Sequence, residues 1–422
     1  SMYSFYCCEN LKIVEIAENS KSLTIETRAF GFASIEKVII SSKVVYIDSW
    51  CFFNCQNLTT IEFKESTEFV TIKNYALSDS SIETINISSS KLELDDDWNQ
   101  GANYLKEIII SPSNKHYIYK DNFLIGKTDS SNDDFDLILF SNRGIETAII
   151  PSNIKVIFSY SFANCYKLKK VQFSENSKLI SIDSGAFFNT EIENISIPSN
   201  VTQINKCAFA NCINLKSLEL AENSKLISFQ GEVFDYSLIK RIDIKSCKVE
   251  FNECWSVGAS NLNEIIISKN NKYHIFKDNK FLLSKTDQLN NDFDVIIFAR
   301  RDIKDAIIPS NIKIISSYSF AECKKLKSIE FSKHSELNVI DNCAFRGSSI
   351  SRILIPSHVK KIGCFAFFQC KKLKIFEISE DSELESIDDD AFNYVPITSF
   401  VIPAKVTNIG KNAFSFCDKL QI

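Results

Sequence analysis

Residues 161–212 read SFANCYKLKKVQFSENSKLISIDSGAFFNTEIENISIPSNVTQINKCAFANC. The stretch opens and closes on the tetrad Phe-x-x-Cys, at Phe162–Cys165 and Phe209–Cys212, with its cysteines 47 residues apart. The tetrad returns at Phe5–Cys8, Phe52–Cys55, Phe320–Cys323, Phe367–Cys370 and Phe414–Cys417. Phe30, Phe187, Phe234, Phe345 and Phe392 fill the places between, with Leu77 as a substitute, so the period splits into steps of 25 and 22 residues. Self-similarity at such a period marks a repeat architecture and overrides the two or three domains that 422 residues would otherwise suggest.

Each half-period carries a short segment of the form L/I-x-x-I-x-I, as in Leu168–Phe173, Ile192–Ile197, Leu215–Leu220 and Ile350–Ile355. Its β-branched residues and terminal alternation predict a strand. Sixteen such segments lie between Leu11 and Val401. A single copy cannot enclose a core, whereas stacked copies can. The outer apolar pair of each strand (Val171 and Phe173, Ile195 and Ile197) is expected to point inward, and the strands to pair in parallel. The Ala/Ser-Phe dipeptide, ten or more residues later, fills the interior from the return side. At about 4.8 Å per strand the stack would run roughly 75 Å, bent by its bulkier return side. The expected fold class is a mainly β repeat solenoid of α/β type, curved and right-handed, with parallel strands on the concave face. Ile-Pro-Ser follows a strand at Pro151, Pro198, Pro309 and Pro356, and Ile402-Pro403 is similar. Lacking an N–H, proline is expected to end the strand and fix the turn, with pairing continuous elsewhere.

A longer repeat is superimposed: residues 101–165 return almost intact as 258–323, GANYLKEIIIS matching GASNLNEIIIS. Each copy contains an insert, at about Ser111–Gly144 and Ser268–Asp302. An apolar segment (Tyr117–Ile125, Tyr273–Leu283), an Asn/Asp-rich turn (Ser130–Asp134, Asn290–Asp292) and a second segment (Leu137–Phe140, Val295–Phe298) predict a β-hairpin in each. The hairpins would extend the solenoid wall or stand off its side. No composition break interrupts residues 3–422, which read as one domain, while Ser1-Met2 reads as an expression scar on a fragment truncated at both ends.

The composition narrows function. With 48 basic against 53 acidic residues and a net charge of −5, the chain lacks the basic excess of a nucleic-acid binder. No apolar run approaches a membrane span. Successive Phe-x-x-Cys thiols, two strands apart, would lie about 10 Å from each other, beyond bridging reach, so they read as buried small residues bonded to loop backbone. Cys7, Cys51, Cys207, Cys247, Cys254, Cys343 and Cys364 read as isolated thiols, with a Cys247–Cys254 bridge as the alternative. No Cys-x-x-Cys, phosphate-binding loop, nucleophile elbow or metalloprotease motif is present. Catalytic residues, cofactors and a zinc site are therefore not expected. Asp95–Asp97, Asp133-Asp134 and Asp388–Asp390 read as solvated turn acids, with Asp133, Asp134 and Asp136 as an adventitious Ca²⁺ contact. Asn57, Asn86, Asn194 and Asn200 begin Asn-x-Ser/Thr sequons, compatible with export.

The residue between each inward pair should face solvent. That column reads Glu15, Ile39, Glu62, Asn86, Ile109, Ile149, Gln172, Ser196, Glu219, Asp243, Ile266, Ile307, Glu330, Leu354, Glu377 and Val401. Aliphatics recur where a solvated sheet would carry polar residues. Two explanations compete: an exposed binding row, or plain β-propensity. On the first, Ile39, Ile109, Ile149, Ile266, Ile307, Leu354 and Val401, with Glu62, Glu219, Glu330 and Glu377, form the protein-binding surface. Ile109/Ile149 and Ile266/Ile307, beside the inserts, are its best clusters.

Units such as AFANCINLKSLEL, IPSNVTQINKCAFANC and IPSHVKKIGCFAFFQC resemble BspA-type leucine-rich repeats over residues 3–422. The resemblance implies a solenoid in which hairpin insertions are common. It also implies a surface protein of the kind that mucosal bacteria and protists use to adhere to host or matrix proteins. Thr190, Ser237, Ser348 and Val395 depart from the family pattern where it places Cys. The expected function is non-enzymatic recognition of a protein ligand by a secreted or cell-surface adhesin-like antigen. The alternative is an intracellular scaffold in the cytoplasm. Oligomeric state is not legible.

Overall fold

A computed structural model describes all residues except 19–22, 65–68, 88–90, 96, 113, 132, 246–248, 270, 288, 290 and 422. The chain divides into two compact units, Ser1–Asn214 and Leu215–Ile422. Each is a solenoid of parallel strands, and no helix occurs among the described residues, the return side included.

In the first unit the predicted strands Ile13–Glu15, Lys37–Ile40, Thr60–Phe63, Thr84–Ile87 and Glu107–Ile110 form a five-stranded sheet in strict order. The register carries Val38 to Ile61, Ile85 and Ile108, all buried, so one side of the sheet is the core wall. After the insert come Thr147–Ile150, Lys170–Phe173 and Asn194–Ile197. The second unit repeats the scheme with Ser217–Leu220, Arg241–Lys245 and Glu264–Ile267 before its insert, and Asp305–Ile308, Ser328–Phe331, Arg352–Ile355 and Ile375–Ile378 after it. No strand forms around Val401, the sixteenth expected position.

Sequence reading missed a second parallel sheet on another wall. Its strands are short, two residues long at Val156–Ile157, Ser181–Ile182 and Gln203–Ile204, joined Ile157↔Ile182↔Ile204. The second unit has Ile314–Ile315, Val339–Ile340, Lys361–Ile362, Ser386–Ile387 and Asn408–Ile409 in the same role. The inserts belong to this sheet. Each is a three-stranded antiparallel meander rather than a hairpin: Ile118–Lys120, Phe123–Gly126 and Leu137–Ser141 in the first, Ile275–Lys277, Phe281–Ser284 and Val295–Ala299 in the second. Its last strand then pairs in parallel with the next repeat, Ile138↔Ile157 and Ile296↔Ile315, so the insert extends the wall. The first apolar segment splits because Asp121-Asn122 and Asp278-Asn279 take left-handed φ at both residues, making a two-residue hairpin loop between Lys120 and Phe123 and, with Lys280 added, a three-residue loop between Lys277 and Phe281. Asn290 lies outside the described residues.

The return loops are also hydrogen-bonded from copy to copy. The Phe162 and Phe187 amides donate to the Ala186 and Ala208 carbonyls at 2.8 and 2.9 Å, and Phe320, Phe345 and Phe367 repeat the bond to Ala344, Ala366 and Ala391. The phenylalanines stack in file: Phe162–Phe187 at 5.0 Å and Phe187–Phe209 at 5.5 Å in the first unit. In the second, Phe320, Phe345, Phe367, Phe392 and Phe414 follow at 5.0, 5.2, 5.2 and 5.1 Å. Phe123 and Phe281 of the inserts pack on the first ring of each file.

Candidate functional site

The pleat places the outward column where expected. Ile149 and Ile307 are 63% and 62% exposed, Leu354 50% and Ile109 44%. Ile39, Glu62 and Ile266 are half-buried, while Glu15, Glu219, Glu330 and Glu377 are exposed. Two positions depart from the reading. Asp243 is buried beside Arg241 (3.4 Å), at a slip in the ladder between Asp243 and Lys245. Val401 is exposed but sits outside any strand.

The column is not a continuous aliphatic row. Register sets Ile39 beside Glu62 and Asn86 beside Ile109. Ile149 faces Gln172, Ile307 faces Glu330 and Leu354 faces Glu377. The acids are held by basic residues one strand or more away: Lys37–Glu62 at 2.7 Å, Lys64–Glu15 at 2.9 Å and Arg352–Glu377 at 2.8 Å. The expected pairing of Ile109 with Ile149, and of Ile266 with Ile307, meets a break, because each insert separates two sheets there. Ile109 instead lines a cleft of about 370 Å³ against Pro112, Tyr117 and Tyr119 of the insert. A larger cleft, about 620 Å³, opens between strands Ser328–Phe331 and Arg352–Ile355 and is bordered by Leu354, His334 and His358.

Two features of the return loops escaped sequence reading. Residues two before and two after the core phenylalanine adopt left-handed φ, as at Tyr160/Asn164 and Tyr318/Glu322. Asparagine tolerates this conformation, and in the first unit the later position becomes a ladder. Asn211 donates to Asn189 (2.7 Å), Asn189 to Asn164 (2.8 Å) and Asn164 to Asn103 (2.6 Å). Both positions also carry part-exposed aromatics. At the earlier one Trp50 stacks on Tyr75 at 4.6 Å with Arg28 over its ring, and at the later one Tyr394 stacks on Phe416 at 4.4 Å. The signal was present as aromatic residues flanking Ala/Ser-Phe.

The tetrad thiols of Cys55, Cys165, Cys212, Cys323 and Cys370 are buried packing groups, while Cys8 and Cys417 at the two ends are half-buried. Cys55, Cys212 and Cys370 donate to the carbonyls of Phe30, Phe187 and Phe345 at 3.0, 3.1 and 3.0 Å. Thr190 and Ser348 stand 3.3 and 3.4 Å from Cys212 and Cys370, so the departures from Cys keep a polar contact there. Burial pushes the thiols of Cys55 and Cys370 up to about 12 and that of Cys212 to about 11, away from thiolate reactivity. The Cys247–Cys254 alternative falls on Cys247, which lies outside the described residues.

The Ca²⁺ contact sketched around Asp136 is corrected. Asp136 is buried and accepts from the Thr128 amide and hydroxyl, each at 2.8 Å, and from Lys155 at 2.8 Å. Burial alone would raise its pKa, but the Lys155 and Thr128 donors outweigh it and hold the carboxyl below its ordinary value. Asp294 repeats the arrangement with Thr286 and Lys313. Both carboxylates tie the insert to the following repeat. Asp388 pairs with Lys361 at 3.0 Å and Asp95 with Lys73 at 3.4 Å, while Asp96 lies outside the described residues.

A family model described as BspA type leucine rich repeat region (6 copies) matches residues 1–106, 23–130, 127–194, 180–291 and 291–421. Among solved structures, the chain is similar to the pneumococcal vaccine antigen PcpA (23% identity, 65% of this chain and 61% of that chain, TM-score 0.49). It is also similar to a leucine-rich repeat protein from Eubacterium ventriosum (19%, 76% and 84%, TM-score 0.48). A leucine rich cell surface protein from Faecalibacterium prausnitzii matches at 18%, 98% and 81%, with a TM-score of 0.36. The chain thus spans 61% of the length of the pneumococcal antigen's chain. No curated protein matches the sequence.

Proposed function

This chain belongs to the BspA-type leucine-rich repeat family, and from that membership we propose that it is a non-enzymatic protein-recognition module. It acts as a secreted or cell-surface adhesin-like antigen that binds host or matrix proteins. The observation that carries this reading is the exposure of Ile149, Ile307 and Leu354 on strands whose pleat could have presented polar residues. Aliphatic side chains interleaved with acids give a surface with apolar anchors and charged neighbours, spread over many strands rather than gathered in one pocket.

The test is binding of the fluorescently labelled chain to intact epithelial cells and to a deposited matrix layer. Ile149→Asp with Ile307→Asp, both on solvent-facing positions, is expected to reduce binding at least roughly tenfold while leaving the circular dichroism and Tm close to wild type. Unchanged binding overturns the assignment to this face.

A cytoplasmic scaffold is the second reading. It is favoured by the thiols of Cys55, Cys212, Cys370 and Cys417, which donate as S–H to backbone carbonyls and fit a reducing compartment. Surface biotinylation of intact source cells separates the two: labelling supports the adhesin, and recovery only from the cytosol supports the scaffold.

A further inference from the structure

Between ordinary copies the return loops are tied by backbone bonds, as where Tyr160, Phe162 and Asn164 donate to Ser184, Ala186 and Phe188 at 3.1, 2.8 and 2.9 Å. Each insert interrupts that series. In the second unit the Arg301 side chain spans the interruption, donating to the Ser256 hydroxyl before the insert and to the Ser319 carbonyl after it, each at 2.9 Å. In the first unit Asn164 donates across the interruption to Asn103 at 2.6 Å and closes it. The matching residues of the second unit are Glu322 and Ser260. Glu322 pairs with Lys324, and the Ser260 hydroxyl bonds within its own loop, to Gly258. A slot of about 260 Å³ stays open between them.

Arg301, 4% exposed, lines this slot, and Asp235 and Arg346 line it too. The last two stand where the first unit has Ser78 and Phe188, so the second unit has gained one acid and one base at a single opening. Neither forms an ion pair with the other or with any described residue. The Arg346 guanidinium lies over the Phe368 ring at 5.7 Å. Burial, with the charge of Glu232, pushes the Asp235 carboxyl above its ordinary value, and the Tyr236 amide and Arg346 do not offset it. A half-buried carboxylate without a cation, facing a guanidinium without an anion, leaves both charges short of a partner.

We infer that this slot binds a small zwitterion of the α-amino-acid class. Its ammonium meets Asp235 and its carboxylate meets Arg346, each as a charge-assisted hydrogen bond. The buried charge of Arg301 favours the anionic end. A ligand of one sign would leave either Asp235 or Arg346 uncompensated. The volume falls below the roughly 300–1,000 Å³ of pockets for drug-sized ligands, so the occupant is small. Val257, Ala259 and Ala321 line the slot beside the charges and suit an aliphatic side chain. The site lies on the return loops, away from the outward strand column, and goes beyond the protein-recognition reading.

The probe is L-leucine, titrated into the full chain by isothermal calorimetry. The expected result is saturable binding with a Kd below about 1 mM. 4-Methylpentanoate lacks the ammonium and 3-methylbutylamine lacks the carboxylate, and each should bind at least roughly tenfold more weakly. Asp235→Ser and Arg346→Phe install the residues that the first unit carries at these places, so both suit the fold. Each should weaken leucine binding at least roughly tenfold, with Tm close to wild type. Ser260→Asn together with Glu322→Asn recreates the bond between Asn103 and Asn164 and should abolish binding. Absence of saturable leucine binding up to about 10 mM, unchanged affinity in D235S or R346F, or 4-methylpentanoate binding as tightly as leucine, overturns the inference.

Discussion

At the scale of single residues, the repeated cysteine is a packing group with one polar obligation. The thiols of Cys55, Cys212 and Cys370 are buried and donate to the carbonyl of the phenylalanine 25 residues earlier. Cys165 and Cys323, which follow the inserts, donate to the carbonyls of Asn142 and Arg300. Because burial raises the folded pKa of Cys55, Cys212 and Cys370, each thiol remains protonated in the folded chain at pH values where the unfolded chain has released its proton. Their contribution is fully present below the ordinary thiol value near 9 and declines as pH climbs towards 11–12. Each such thiol should cost about 1.4 kcal/mol of stability per pH unit in that window. Denaturant unfolding at pH 8, 9 and 10 is expected to show this alkaline loss, and the Cys55→Ser, Cys212→Ser, Cys370→Ser variant to show less of it. An equal slope in the variant would place the loss in other groups.

At the scale of elements, the turn chemistry decides what the inserts become. Asp278-Asn279-Lys280 joins Ile275–Lys277 to Phe281–Ser284, with Asp278 and Asn279 left-handed (φ 52° and 53°). Asn279→Val should cost about 1–2 kcal/mol, since a β-branched side chain is strained at positive φ. Asn279→Gly should be neutral or slightly stabilising, and thermal unfolding of the three proteins checks both. This dipeptide stood in the sequence, but its apolar flanks read as one continuous strand, and the richer Asn/Asp run downstream drew the turn to itself. The long strands were legible because inward and outward residues alternate over four positions. The second sheet was not, because two-residue strands such as Val339–Ile340 are too short to show a period. The site is legible to a similar degree. Spacing gave the outward direction of Ile149 and Ile307. The break between Ile109 and Ile149 depends on where the insert re-enters.

At the scale of the molecule, each unit gains its stability from contacts between neighbouring copies, because no copy has a core to itself. The ring file makes this measurable. Phe345 and Phe367 stack at 5.2 Å, whereas Phe320 and Phe367 are separated by Phe345. A double-mutant cycle with leucine at these positions, read by denaturant unfolding, is the direct test of stacking copy upon copy. The account predicts a coupling of about 0.5–1.5 kcal/mol for Phe345/Phe367 and additivity within about 0.5 kcal/mol for Phe320/Phe367. Additivity for the adjacent pair, or equal coupling for both pairs, would contradict it.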